Sequence, residues 1–355
     1  MTTSALPPHA RHQVNGYSEL LRRIKEEGLL DRSPRRYAAR VLVLALGFGV
    51  ALLALLTLGQ TWAQLLVAAG LGVLLTQAAF LGHDGAHRQI FVTGTANEWA
   101  ARLVATLVVG LSHGWWMRKH SRHHANPNKV GADEDIRPGV LLFTPDDAAR
   151  RTGLSGWLTA RQGWLFFPLL TLEGLSLHAD AVRTVVQDRE LSHRGTEAVL
   201  LTIRLAVLPG LVLALLGPGL GAAFLAVQLA VFGVYMGATF APNHKGMPLV
   251  PRDTRIDFLS RQVLTSRNIR GGRPVDWLMG GLNLQVEHHL FPSMPSGNLR
   301  RAQPFVRAHC AEHGVPYTEA GLLESYGIVV RHLNRVGLGD RDPFACPFVT
   351  AHRQG

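Results

Sequence analysis

Residues 41–87 read VLVLALGFGVALLALLTLGQTWAQLLVAAGLGVLLTQAAFLGHDGAH. Two runs in this stretch, 41–58 and 62–82, each come close to the roughly 20 apolar residues that a helix needs to cross a hydrocarbon core. Only the uncharged turn Gly59-Gln60-Thr61 parts them. The pattern predicts a helical hairpin across a membrane, with its tip outside. The second run ends on His83 and His87, whose spacing of four puts both rings on one helical face. Ring nitrogens grouped at the mouth of an apolar hairpin point to a metal site at a membrane surface.

A second hairpin follows at 199–216 and 220–241, broken by Gly217-Pro218-Gly219. Arg204 lies one turn inside it and is expected to snorkel to the interface. Around the two hairpins stand Arg118, Lys119, Arg122, Lys129, Arg183, Arg189, Arg194, Lys245, Arg252, Arg255, Arg261 and Arg267. By the positive-inside rule this side is cytoplasmic, together with both termini. Two apolar stretches, 99–112 and about 163–177, are shorter than a comfortable span and lie near charge, so they read as interfacial or re-entrant helices. A lone crossing by either would put later histidines on the opposite face from earlier ones, which favours four spans. From 245 onward the chain is polar and carries Pro292, Pro295, Pro304 and Pro316. It should fold as a cytoplasmic helical cap.

The expected fold is therefore all-α and integral to the membrane: four transmembrane helices in two hairpins, interfacial helices and a cap holding the metal. Residues 1–40 form a cytoplasmic amphipathic segment without the short apolar core of a signal peptide. Residues 41–320 form the membrane domain and 321–355 a cytoplasmic tail. The net charge of +11 comes without an aromatic-interleaved basic face, so topology rather than nucleic acid explains it. Cys310 and Cys346 are too few for a disulfide framework.

Seven of the seventeen histidines fall in three windows: His83 and His87; His120-Ser-Arg-His123-His124; and Gln285-Val-Glu-His288-His289. Imidazole is mostly neutral near pH 7 and binds metal without first losing a proton. His120, His123 and His124 combine spacings of three and four, while His288 and His289 diverge as if toward two neighbouring ions. His244, after Asn243 at the end of the last run, makes an eighth candidate, enough for two ions. Asp84, Glu287, Asp133 and Asp135 are candidate acceptors for the outer imidazole N–H groups. Solvation or helix capping accounts equally well for Asp133 and Asp135. Arg118, Lys119 and Arg122 could hold the phosphates of a CoA thioester or a lipid headgroup, or only meet anionic lipid. Trp115 and Trp116 fit an interfacial belt better than a tunnel wall. His113 reads as packing or hydrogen bonding, and His178, His193, His309, His313 and His332 as structural or solvent-facing. Imidazole suits iron, zinc, copper and nickel alike. No evident hydrolytic nucleophile stands near, and a redox-active pair beside acyl chains suits attack on an unactivated C–H bond.

In order and spacing the three windows resemble the histidine boxes of membrane fatty acid desaturases, a likeness running from about residue 35 to 320. The phrases HDGAHRQIF (83–91), FAPNHKGM (240–247), TSRNI (265–269) and NLQVEHHLFPSMP (283–295) are similar to bacterial acyl-CoA or acyl-lipid desaturases related to the front-end type. The resemblance implies a non-haem di-iron centre, O2 as co-substrate and insertion of a cis double bond into an acyl-CoA or acyl-lipid chain. It also implies that His83, His87, His120, His123, His124, His244, His288 and His289 are the ligands. The third box opens on Gln285 instead of histidine, so its amide, like that of Asn243, is at most a weak or water-mediated ligand. The first forty residues are too short for a fused cytochrome b5 and lack His-Pro-Gly-Gly. Electrons are then expected from a separate ferredoxin or iron-sulfur flavin reductase, with the protein in a bacterial plasma membrane. A histidine-box hydroxylase or carotenoid-modifying oxygenase is the near rival, and a metal transporter the remote one.

Overall fold

The computed structural model describes residues 8–339, so Cys346 and residues 340–355 of the expected tail lie outside the described residues. The chain is mostly helical. In order it forms α1 (Pro8–Glu26), α2 (Pro34–Thr57), α3 (Gln64–Ala86), α4 (Gly94–Arg102), α5 (His113–Ala125), α6 (Pro145–Ala149) and α7 (Gly153–Thr159). There follow α8 (Gln162–Gln187), α9 (Arg194–His244), α10 (Phe258–Leu264), β1 (Asn268–Arg270), α11 (Gly272–Leu278), α12 (Gln285–Leu290), α13 (Leu299–Glu312), β2 (Glu319–Gly321) and α14 (Leu322–Gly337). The two short strands pair in parallel, Asn268 with Glu319 and Arg270 with Gly321, a small departure from the all-α expectation. These residues divide into two compact units.

The apolar unit comprises Arg32–His120 and Trp164–Phe240. In α2 the apolar run faces outward on nearly all sides, with Val43, Leu46, Val50 and Leu53 each more than 60% exposed. Such a surface belongs against lipid rather than water. The first hairpin forms where expected, α3 running on through His83. The second forms as one long helix, α9, broken at Gly217, whose φ of 73° and ψ of 172° no helix holds and which glycine adopts without steric cost. Leu71, Leu75, Val212, Leu216, Phe224 and Phe232 share its core. At Gly72 of α3 an added methyl would stand 2.8 Å from the Gln228 carbonyl oxygen of α9, so only glycine allows this approach.

Two expectations are corrected. The stretch read as short at 163–177 belongs to α8, a 26-residue helix that is long and apolar enough to cross a membrane, as are α2, α3 and α9. The helix continues because Glu173, His178, Asp180 and Arg183, which interrupt the apolar run, are compatible with helical backbone. Gly174 of α8 and Gly233 of α9 meet so closely that a methyl on either would strike the other helix's backbone, the small-residue contact of membrane helices. Arg204, expected to snorkel, is buried. It donates from Nε to the Val108 carbonyl at 2.8 Å, and His178 Nε2 meets the Val109 carbonyl at 3.2 Å. Both serve the orphaned end of the π-helical turn Leu103–Val109 that extends α4.

The polar unit comprises 8–31, 121–163 and 241–339 among the described residues. Its core gathers Leu20 and Ile24 from α1, Val263 from α10, Val286 and Leu290 from α12, and Ala302, Val306 and Cys310 from α13. The short α12 is thereby wedged in place, all six of its residues buried, and it carries the third histidine window.

Candidate metal centre

In the apolar unit the last turn of α3 presents His83, and His87 caps it. Across from them α5 presents His120, whose Nε2 stands 2.8 Å from that of His87. Ring centroids lie 4.6 Å apart for His83 and His87, 5.0 Å for His83 and His120, and 4.9 Å for His87 and His120. Trp116, one turn earlier on α5, stacks on the His120 ring at 4.2 Å, a local role that the interfacial-belt reading of this residue missed. Burial, with His83 beside it, holds the His87 imidazole well below its usual range, so the ring stays neutral. Asp84 receives Arg40 at 2.6 Å and the Tyr37 hydroxyl at 3.2 Å, and its other oxygen stands 3.6 Å from His83 Nδ1.

In the polar unit five histidines converge, from α5, the end of α9 and α12. His123, His244 and His289 are all buried, and each offers a ring nitrogen within 4.8 Å of the others. Nε2 of His123 is 3.3 Å from Nε2 of His244, and Nε2 of His124 is 3.1 Å from Nε2 of His288. The outward nitrogens are held by acceptors: His123 Nδ1 by Asp133 at 3.0 Å, His244 Nδ1 by the Thr265 carbonyl at 2.9 Å, and His289 Nδ1 by Gln262 Oε1 at 2.9 Å. An acceptor on Nδ1 fixes the proton there and turns the Nε2 lone pair inward, as around ligated metals. Burial pushes the His123 imidazole down, but Asp133 and Asp135 more than reverse this and leave it above its usual range. Asp135 Oδ2 lies 3.4 Å from the same ring.

The donor set fits transition-metal ions. Two nitrogens each about 2.1 Å from one ion stand roughly 3.0 to 3.4 Å apart at octahedral or tetrahedral angles. The Nε2 pairs here span 2.8 to 3.3 Å. The buried rings of His123, His244 and His289, whose outer nitrogens are anchored, need little rearrangement to bind.

The remaining candidates fall less uniformly. Gln285 sets its amide nitrogen 2.9 Å from His244 Nε2, and Asn243 donates to Gln285 Oε1 at 3.3 Å and to the Leu282 carbonyl at 3.1 Å. Glu287, read as an imidazole acceptor, instead receives the Tyr317 hydroxyl at 2.6 Å and Asn268 Nδ2 at 2.7 Å, because its position on α12 turns it toward β1 and away from its histidine neighbours. Its carboxyl is raised by burial. Arg118 is tied to Asp188 at 2.5 Å, Arg122 to Glu134, and Lys119 lies over the Trp115 ring at 5.9 Å. Arg118 also lines a cavity of about 390 Å³ with Arg88, Arg102, Glu98 and His113. Gln262 and Thr265 were missed as histidine holders. Their signal was present only in the phrase TSRNI and the residues just before it.

The fatty acid desaturase family model matches residues 60–321. Among similar proteins, the acyl-lipid (9-3)-desaturase of Borago officinalis is 26% identical over 92% of this chain and 75% of its own length. The acyl-lipid (9-3)-desaturase of Physcomitrium patens is 29% identical over 86% of this chain and 60% of its own. The Delta(5) fatty acid desaturase fat-4 of Caenorhabditis elegans is 30% identical over 86% and 70%.

Proposed function

The chain belongs to the fatty acid desaturase family and desaturates fatty acids, and we propose that it inserts a cis double bond into the acyl chain of a membrane lipid or CoA thioester at a di-iron centre. The ligands of this reading are His83, His87, His120, His123, His124, His244, His288 and His289. The observation that carries it is the inward convergence of imidazole Nε2 atoms whose Nδ1 atoms are anchored. Two bound irons would supply the redox chemistry by which dioxygen removes two hydrogens from neighbouring carbons and leaves as water. Substrate provides two electrons and a separate ferredoxin or iron-sulfur flavin reductase the other two.

The chain's own residues prepare that chemistry. Asp133, the Thr265 carbonyl and Gln262 hold protons on Nδ1 and so keep three rings oriented. Trp116 locks the His120 ring by stacking. Burial of His83, His123, His244, His288 and His289 excludes the bulk water that would quench a radical. Gln285, held by Asn243, stands beside the His244 Nε2 that would bind iron and lines the site there as at most a weak or water-mediated ligand. Arg118 and Arg88, in the cavity of about 390 Å³, receive the charged headgroup.

For topology, four crossings with the boxes and both termini cytoplasmic are supported by hydropathy: the α8 window averages 1.2, against 2.4 for α2 and α9. Helix α8 is then re-entrant, packed along α9 through Gly174 and Gly233 without completing a crossing. Supplying membranes with one labelled acyl chain either as CoA thioester or esterified to phospholipid separates the substrate forms. A hydroxylated product from both would move the protein to the sister oxygenases.

A further inference from the structure

Away from the histidine windows, residues 309–313 read His-Cys-Ala-Glu-His at the end of α13. Both histidines were expected to be structural or solvent-facing. Instead they come together with Glu312: their rings lie 4.0 Å apart, and one ligand atom from each of the three residues falls within 4.8 Å of the others. We propose that His309, Glu312 and His313 bind one divalent transition-metal ion of the zinc type, separate from the di-iron centre.

Four features support this site. His309 is fully buried, yet among the described residues neither of its ring nitrogens has a hydrogen-bond partner. A buried polar atom left this way costs roughly 1–3 kcal/mol, so a native structure normally supplies a partner, water or ion. His313 has its Nδ1 2.9 Å from the His309 carbonyl. A carbonyl only accepts, so Nδ1 carries the proton and Nε2 keeps its lone pair for a metal. The spacing of three and four places all three side chains on one face of a single helical turn. The site also sits at the helix C-terminus, where the backbone dipole favours a cation.

Among the described residues, the guanidinium beside Glu312 is already engaged. Arg23 of α1 is 3.9 Å from Glu312 but holds Glu19 at 2.7 Å, so two carboxylates share one guanidinium. Gly16 of α1 lets that helix pass close by, since a methyl there would meet the His313 ring at 3.3 Å. Cys310 is not a ligand: it points into the core, and burial pushes its thiol up to about 12. Two imidazoles and a carboxylate suit zinc, cobalt, nickel or copper(II), with positions left open to water. Glu312 and His313 are exposed, so the small rotations that draw the three donors to metal distance are inexpensive. Because α13 shares its core with α12, an ion here would brace the wall behind His288 and His289.

The test uses tag-free, full-length, iron-loaded protein in detergent, equilibrated with Zn²⁺, passed over a desalting column and analysed for iron and zinc together. Wild type should retain about one zinc per chain with its iron undiminished, and His313→Asn and Glu312→Gln should lose at least ten-fold in zinc retention while keeping the same iron. Both positions are exposed, so the variants should fold, and their thermal unfolding in zinc-free buffer should match wild type. Wild type that retains no zinc, variants that retain as much as wild type, or zinc gained only as iron is lost would each overturn the site.

Discussion

Asp133→Asn isolates the anchoring of a single ring. Asp133 is buried; its Oδ2 accepts from His123 Nδ1 at 3.0 Å and from the Asn128 backbone N–H at 2.8 Å, and its Oδ1 accepts from the Asp135 backbone N–H at 2.9 Å. An amide has one accepting oxygen where the carboxylate has two. With that oxygen in the Oδ2 position, His123 and Asn128 keep their partner and the new NH₂ faces the Asp135 N–H, donor against donor. That mismatch costs about 1–3 kcal/mol of stability. His123 also loses the negative charge that makes its Nε2 a stronger donor. Loss of such an outer partner weakens metal binding by roughly 10- to 100-fold, which is about 1.4–2.7 kcal/mol. Chelator competition on purified protein, followed by iron absorbance, measures the affinity, and circular dichroism checks the fold. A folded Asp133→Asn protein that holds iron as tightly as wild type would refute the anchoring role.

Glu197→Ala should destabilise the fold by about 1–3 kcal/mol, because it takes the buried acceptor from Ser112 and the Gly114 N–H and leaves Arg102 with the half-exposed Glu98 as its carboxylate partner. Glu197 accepts from Ser112 Oγ at 2.5 Å and the Gly114 N–H at 2.9 Å and pairs with Arg102, itself 1% exposed, at 3.3 Å; an unchanged melting temperature in detergent would contradict this. Gly233→Ala puts a methyl into the Leu170 and Gly174 backbone of α8, and overpacking of this kind costs about 1–3 kcal/mol, readable as a lowered unfolding midpoint. Gln285→His should keep the iron stoichiometry, since a ring there can take the place of the amide beside His244; loss of iron would show that the site needs the amide itself.

The parts of the fold legible in sequence were those set by long-range hydropathy and by glycine. The two hairpins appeared because each apolar run met an uncharged break, and Gly217 adopts the backbone that the Gly-Pro-Gly break predicts. Helix α8 was underestimated because Glu173, Asp180 and Arg183 dilute its hydropathy without breaking its backbone. Among the candidate ligands, spacing revealed which rings share a helical face, and the fold groups His83, His87 and His120 in one unit and the other five in the second. What spacing could not reveal were the partners supplied by tertiary packing. Glu287 next to His288 looked like an imidazole acceptor, yet α12 turns it onto Tyr317, thirty residues away. Gln262, which holds His289, lies on α10 in an unremarkable polar stretch. Arg204 looked like a snorkelling cation until the buried carbonyl of Val108 gave it a partner.

The most direct test expresses the chain in a desaturase-deficient host beside His124→Ala, locates double bonds in fatty acid methyl esters by mass spectrometry, and counts iron in the purified proteins. Wild type should give a new cis-unsaturated species and about two irons per chain, and the variant should lose the product and bind less iron. A variant that makes the same product with the same iron would contradict the histidine-held di-iron centre.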